Sequence, residues 1–258
     1  MNDIIFKGPK CKLKGKFYQA DNPSNPIVII LYPKSKTDEI PESIQSVIKL
    51  LMDMNLSIFL YNFQKLDEIT SESIKTINNT HTSNQQDGED KLFEVISILT
   101  WISKKFMEGK ILWLFSFFNS AWTGLQVVMR RPEITNYILL SPPSKMKDSG
   151  FLIPCSASGV LIHETNINPN MEDVVEKINS KSEHTIEVIP FDNMDIEKNI
   201  NISPMLDMLR EYINKKLEED TGKIKKIKRD RRRRKKKKML TEDEKIEHIC
   251  PIKTLDFD

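Results

Sequence analysis

Five short, nearly continuous apolar segments recur along the chain: Ile27–Tyr32 (IVIILY), Ser57–Tyr61 (SIFLY), Ile111–Phe115 (ILWLF), Asn136–Ser141 (NYILLS) and Gly159–His163 (GVLIH). A strand with one solvated face alternates apolar and polar side chains. Strands apolar throughout are covered on both faces, the situation of a parallel sheet lined by helices. Helix-patterned stretches fill the intervals. Residues 41–54 (PESIQSVIKLLMDM) open with Pro41 in the first turn, and 90–107 (DKLFEVISILTWISKKFM) carry apolar residues three and four apart. Further helices are read at 119–130, ending before Pro132, near 170–181, and from about 203 to 220, with Gly222 beyond; HTIEVIP (184–190) supplies another strand. Alternating strand and helix predicts an α/β fold: a doubly wound, mainly parallel sheet in a three-layer sandwich, with strand order left open. Residues 64–87, which include TINNTHTSNQQDGED, are read as a polar loop or insertion. There is no internal repeat.

Charge divides the chain in a second way. The net charge of +2 conceals a run at 222–239, GKIKKIKRDRRRRKKKKM, with 13 basic residues and one acidic; the remaining 26 basic and 36 acidic side chains leave −10. A block of like charge repels itself and stays extended, so a globule at 1–220 and a basic, disordered tail at 221–258 are expected. Lys228, Arg229, Arg231, Arg232, Arg233, Arg234, Lys235, Lys236, Lys237 and Lys238 are candidates for contacting RNA or another polyanion. No aromatic residue interrupts them, so base stacking is not expected. A solvated tail, or one folded back on the acidic globule, is the alternative.

Other function classes are disfavoured. No apolar run approaches the roughly 20 residues of a membrane span, and MNDIIFKGPK lacks the apolar core of a secretory signal. Cys11, Cys155 and Cys250 are odd in number and widely spaced, which suits reduced thiols in a cytoplasmic protein. No HExxH, His/Cys cluster or glycine-rich phosphate cradle occurs, so neither metal nor cofactor is expected.

Several stretches resemble bacterial proteins of the α/β-hydrolase-fold superfamily, in its serine-hydrolase-like group. GPKCKLKGKFYQADNPSNPIVIILYP resembles the group's first hairpin and strand, WLFSFFNSAWTGLQVVMRRPEI its nucleophile elbow and following helix, and ILLSPPSKMKDSGFLIPCSASGVLIH the approach to its acid-bearing loop. EVIP resembles the strand before its histidine, and the similarity spans about residues 6–215. The resemblance implies Gly-x-Ser-x-Gly at the elbow, where this chain reads Ser116-Phe117-Phe118-Asn119-Ser120. Phe118 stands at the nucleophile position, Ile167 at the acid position and Met194 at the histidine position. The loop LYPKSKTDEIPE has no glycine pair to offer an oxyanion donor. Since a bulky residue is costly at positive φ, the turn is expected to have relaxed, with Asn119 absorbing the bend.

Relocated chemistry would need a nucleophile beside a base. Of His81, His163, His184 and His248, only His163 ends a strand at the carboxyl edge, where Ser116 and Ser120 also lie; Cys155 reads as a small buried hydrophobe. A Ser116–His163 pair is the fallback candidate. The plainer reading has His163 bonding a loop and Ser120 or Asn119 capping the helix. Two functions follow. One is a catalytically degenerate binding or scaffolding module, with a polyanion or protein as partner. The other is a divergent serine hydrolase, an esterase or related acyl hydrolase.

Overall fold

The computed structural model describes residues 2–9, 12–22, 25–33, 39–63, 83–106, 111–143, 157–166, 171–180 and 186–220. Eight strands form one sheet in the order β1-β2-β4-β3-β5-β6-β7-β8. They are β1 (Asn2–Lys7), β2 (Lys12–Tyr18), β3 (Ile27–Tyr32), β4 (Ser57–Asn62), β5 (Leu112–Phe117), β6 (Ile134–Leu140), β7 (Ser158–Glu164) and β8 (Glu187–Phe191). Among them run α1 (Glu42–Asp53), α2 (Ser83–Phe106), α3 (Ser120–Val128) and α4 (Met171–Asn179), and α5 follows over 203–220. The first two strands are antiparallel, β2 meets β4 antiparallel, and every later pairing is parallel. Two compact units, Met1–Leu206 and Asp207–Asp258, divide the chain; the sheet and all the site residues below belong to the first. Within the second, Lys216 pairs with Glu219 at 2.9 Å and lies over the Tyr212 ring.

Right-handed crossovers decide which helix covers which face. The step from β3 to β4 goes one way along the sheet, and the steps from β4 to β5, β5 to β6 and β7 to β8 go the other. Accordingly α2, α3 and α4 share a face with Ile29, Phe59, Leu114, Tyr137, Leu139 and Leu161. Ile30, Leu60, Phe115, Phe117, Ile138 and Ile162 point the opposite way and are equally buried, and α1 buries Ile44, Val47 and Leu51. The reversal falls between β3 and β5, so their carboxyl ends open the crevice in which doubly wound sheets hold their ligands.

Boundaries differ from the sequence reading in several places, and β5 runs on to Phe117, two residues past ILWLF. Helix α2 begins at Ser83, which takes 83–87 out of the segment read as a loop; residues 64–82 lie outside the described residues. Pro41 is the N-cap of α1, one position before the first turn.

The approach of α3 to β5 positions everything that follows. Gly124 faces Ser116, and a methyl group built on Gly124 would overlap the Ser116 hydroxyl and come within 2.8 Å of its Cβ. Both residues are buried, so neither can swing away, and overfilling such a contact costs about 1–3 kcal/mol. Gly124→Ala is therefore expected to lower unfolding free energy in urea by that amount, and Ser116→Gly in the same chain to recover most of it. A loss that Ser116→Gly leaves untouched would show that this pair does not set the spacing of α3 and β5.

Candidate functional site

The site region is the carboxyl edge of β5, β6 and β7. Strand β5 ends at Phe117 and α3 starts at Ser120, leaving Phe118 and Asn119 to reverse the chain. Phe118 takes φ 50°, while Asn119 is ordinary right-handed backbone at φ −59°, ψ −22°. This corrects the expectation that Asn119 would absorb the bend: the turn has not relaxed, and the aromatic residue itself occupies the left-handed region. That conformation costs a side-chain-bearing residue about 1–2 kcal/mol. Two hydrogen bonds hold it there, from the Phe118 N–H to the Leu140 carbonyl (2.8 Å) and from the Ala121 N–H to the Phe118 carbonyl (2.9 Å). The Phe118 ring is half-buried, 6.1 Å from the fully buried ring of Phe117.

The capping reading is also corrected. Asn119 makes no side-chain cap bond, and the Ser120 hydroxyl is buried without a hydrogen-bond partner among the described residues. Ser116 is fully buried, its hydroxyl likewise unpartnered among the described residues and pressed toward Gly124. Ser116 lies opposite Leu139, and Leu139 opposite Leu161, so His163 is two strands across and two residues farther along. With strands about 4.8 Å apart and a rise of about 3.3 Å per residue, their Cα atoms are separated by about 12 Å. The structure does not bring Ser116 and His163 together. His163 is buried on β7 beside Pro190 of β8. Met194 is buried, 3% exposed. Ile167, Cys155, His81, His184, His248 and the whole basic run lie outside the described residues.

What the structure does assemble at this edge was not singled out in the sequence. Glu164, the last residue of β7, is 1% exposed. Its carboxylate accepts the Ser141 hydroxyl at 2.6 Å on one oxygen and the Ile196 N–H at 3.1 Å on the other. Ser141 follows β6, sits at φ 48°, and donates its own N–H to the Ile162 carbonyl at 2.8 Å. Phe118, Ser141 and Glu164 thus follow one another across the ends of three adjacent strands. The segment after β8 is pinned to them. Asp195 and Ile200 form an antiparallel bridge, and the Asp195 carboxylate accepts the Lys198 backbone N–H at 2.9 Å and its ammonium at 2.7 Å. The hydrogen bond from Lys198 holds the Asp195 carboxyl below its usual range. Asn193, Asn199 and Asn201 all take positive φ, a region that asparagine enters more readily than most residues. The sequence did carry a signal for Glu164: an acidic residue directly continuing the buried run GVLIH has to find donors.

No group of His, Cys, Asp and Glu among the described residues is arranged to hold a metal, and none of the helices searched there is long and apolar enough to cross a membrane.

The strand order, the helices on both faces and the sharp strand-turn-helix after β5 define the α/β-hydrolase fold. Solved structures agree. A protein of unknown function from Agrobacterium tumefaciens, provisionally assigned to the α/β hydrolases, superposes with a TM-score of 0.68 at 23% identity, covering 84% of this chain and 97% of its own. A lidless α/β serine hydrolase from Xanthomonas campestris superposes with a TM-score of 0.63 at 15% identity, covering 84% and 94%. In sequence, an uncharacterized protein of Rickettsia prowazekii is 23% identical over 193 residues, 71% of this chain and 76% of its own length. No protein-family model matches.

Truncating Glu164 to alanine strands two donors, the Ser141 hydroxyl and the Ile196 N–H, at a cost of about 1–3 kcal/mol. Glu164→Ala is expected to show that loss in urea unfolding, together with faster hydrogen exchange at the Ile196 amide. Exchange as slow as in the parent protein would mean that the 192–200 segment is held by something else.

Proposed function

We propose that this α/β-hydrolase-fold chain works by binding rather than by hydrolysis, as a scaffolding module whose elbow no longer carries a nucleophile. The observation that supports this most directly is Phe118 at φ 50°. The turn still presents one side chain at the switch point of the sheet, and that side chain is a phenyl ring, with no proton to give up and no lone pair to attack a carbonyl. The resemblance assigns Met194 to the base position and Ile167 to the acid position, so all three of the group's catalytic positions carry apolar residues. A centre of that composition would pack shut or receive an apolar group. In the same proposal the tail at 222–239 makes the contact with RNA or another polyanion, the globule supports a protein partner, and the setting is cytoplasmic. Such a tail binds through phosphate charge, with an affinity that falls steeply as salt rises.

A second reading has its own observation. The Ser141 hydroxyl donates to a buried carboxylate on a turn at positive φ, beside the elbow. Strained serines near a base are a feature of nucleophilic sites, and structural neighbours include an esterase of Pyrococcus furiosus and a dienelactone hydrolase of Anabaena variabilis. A divergent acyl hydrolase would use this pair in place of the family's residues.

One experiment separates the two. The intact protein is exposed to a fluorophosphonate probe and to short acyl esters, with adducts read by mass spectrometry. The binding reading predicts no adduct and no ester turnover above the buffer rate. An adduct on Ser141, lost with Glu164→Gln, would establish the hydrolase reading. An adduct on Ser116 or Ser120 would reject both assignments.

A further inference from the structure

Strand β1 ends the sheet, and among the described residues nothing pairs with its outer edge. The opposite end is β8, where Pro190 has no N–H to offer an incoming strand. Strand β1, reading Asn2-Asp3-Ile4-Ile5-Phe6-Lys7, has no such block. An unpaired edge is a template for another chain, and natural edges discourage pairing with charge, proline, bulges or a covering element. Here Asp3 and Lys7 are exposed and lie two residues on either side of Ile5. Ile5 is 66% exposed, the most exposed large hydrophobic side chain among the described residues.

That spacing is self-complementary. When β1 pairs antiparallel with β1 of a second copy across a two-fold axis, backbone groups pointing outward must meet groups pointing outward. The axis must therefore pass through a residue and not between two. Centring on Ile4 sets Asp3 against Ile5 and Asn2 against Phe6. Centring on Phe6 sets Ile5 against Lys7. Centring on Ile5 sets Asp3 against Lys7 twice, Ile4 against Phe6 twice and Ile5 against Ile5. Only the last register places each charge opposite its complement while covering the exposed isoleucine, and its apolar face is the one on which Phe6 already packs against Phe59 and Trp101.

We propose that the outer edge of β1 is an interface between two copies of this chain, paired antiparallel about Ile5 so that the sheet continues from one copy into the next. The exposed lysines of β2, Lys12, Lys14 and Lys16, share the face of Ile5, and Lys14 pairs with Asp3 at 2.9 Å. In the paired hairpins the two lysine rows stand three strand spacings apart, about 14 Å. At about 0.1 M salt, where the screening length is about 10 Å, they oppose the pairing little.

The test uses the full chain in sedimentation equilibrium at physiological salt, with circular dichroism confirming that each variant is folded. The parent protein is expected to show a reversible monomer–dimer equilibrium, with amides of β1 exchanging more slowly as concentration rises. Lys7→Asp sets like charges opposite each other, as does Asp3→Lys, and each alone is expected to weaken the dimer by about tenfold or more. Mixing the two variants restores it, since two acidic positions on one copy then face two basic positions on the other. A parent protein that stays monomeric, charge variants that pair as tightly as the parent, or a mixture that fails to recover would each overturn the proposal.

Discussion

The contact between Ser116 and Gly124 is the constraint from which the rest of the site follows. It lets α3 lie so close to β5 that the chain has only Phe118 and Asn119 in which to reverse direction. A reversal that tight needs one residue in the left-handed region, and the hydrogen bonds from Phe118 to Leu140 and from Ala121 to Phe118 fix which one it is. Backbone packing sets the conformation, and the side chain at that position complies. This is why an aromatic residue occupies a φ that costs it about 1–2 kcal/mol: the alternative is to pull a buried helix away from the centre of the sheet.

The same edge is tied together by a buried carboxylate. Open α/β sheets hold their ligands at the carboxyl ends of their strands, and at that edge of this sheet Glu164 is buried with both carboxylate oxygens engaged. Its two donors come from the turn after β6 and from the segment after β8, so one carboxylate ties together three separate pieces of chain. A carboxylate so deeply buried is tolerable only because it is hydrogen-bonded on both oxygens. Ser141 completes the tie at the expense of its own backbone preference, as Phe118 does one strand away.

The layers of the fold were legible because each strand advertised its environment. IVIILY and ILWLF are apolar at every position, and both proved to be covered on both faces. KLKGKFY entered the sequence reading only through the resemblance to a first hairpin; it is a strand of the antiparallel hairpin, with alternating burial and its lysines in solvent. Boundaries were less legible where polar residues continue a helix, as at Ser83, since nothing local in SNQQDGED distinguishes an exposed first turn from a loop. The elbow was legible as a junction and misread as a conformation. Local preference argues for Asn119 at positive φ, and tertiary packing overrode it at Phe118. The Glu164 network was hidden for a related reason: its partners are 23 and 32 residues away, a relation that no local pattern carries.

The most direct test of this account compares two truncations at one position. Phe118→Gly and Phe118→Ala remove the same ring, and they differ chiefly in the ease with which the backbone adopts φ 50°. In an ordinary helix or strand the alanine variant would be the more stable of the two. If packing holds the elbow in the left-handed region, the glycine variant is instead the more stable, by about 1 kcal/mol in urea unfolding. Equal stabilities, or an advantage for alanine, would contradict the claim that the strained turn is held in place whatever side chain it carries.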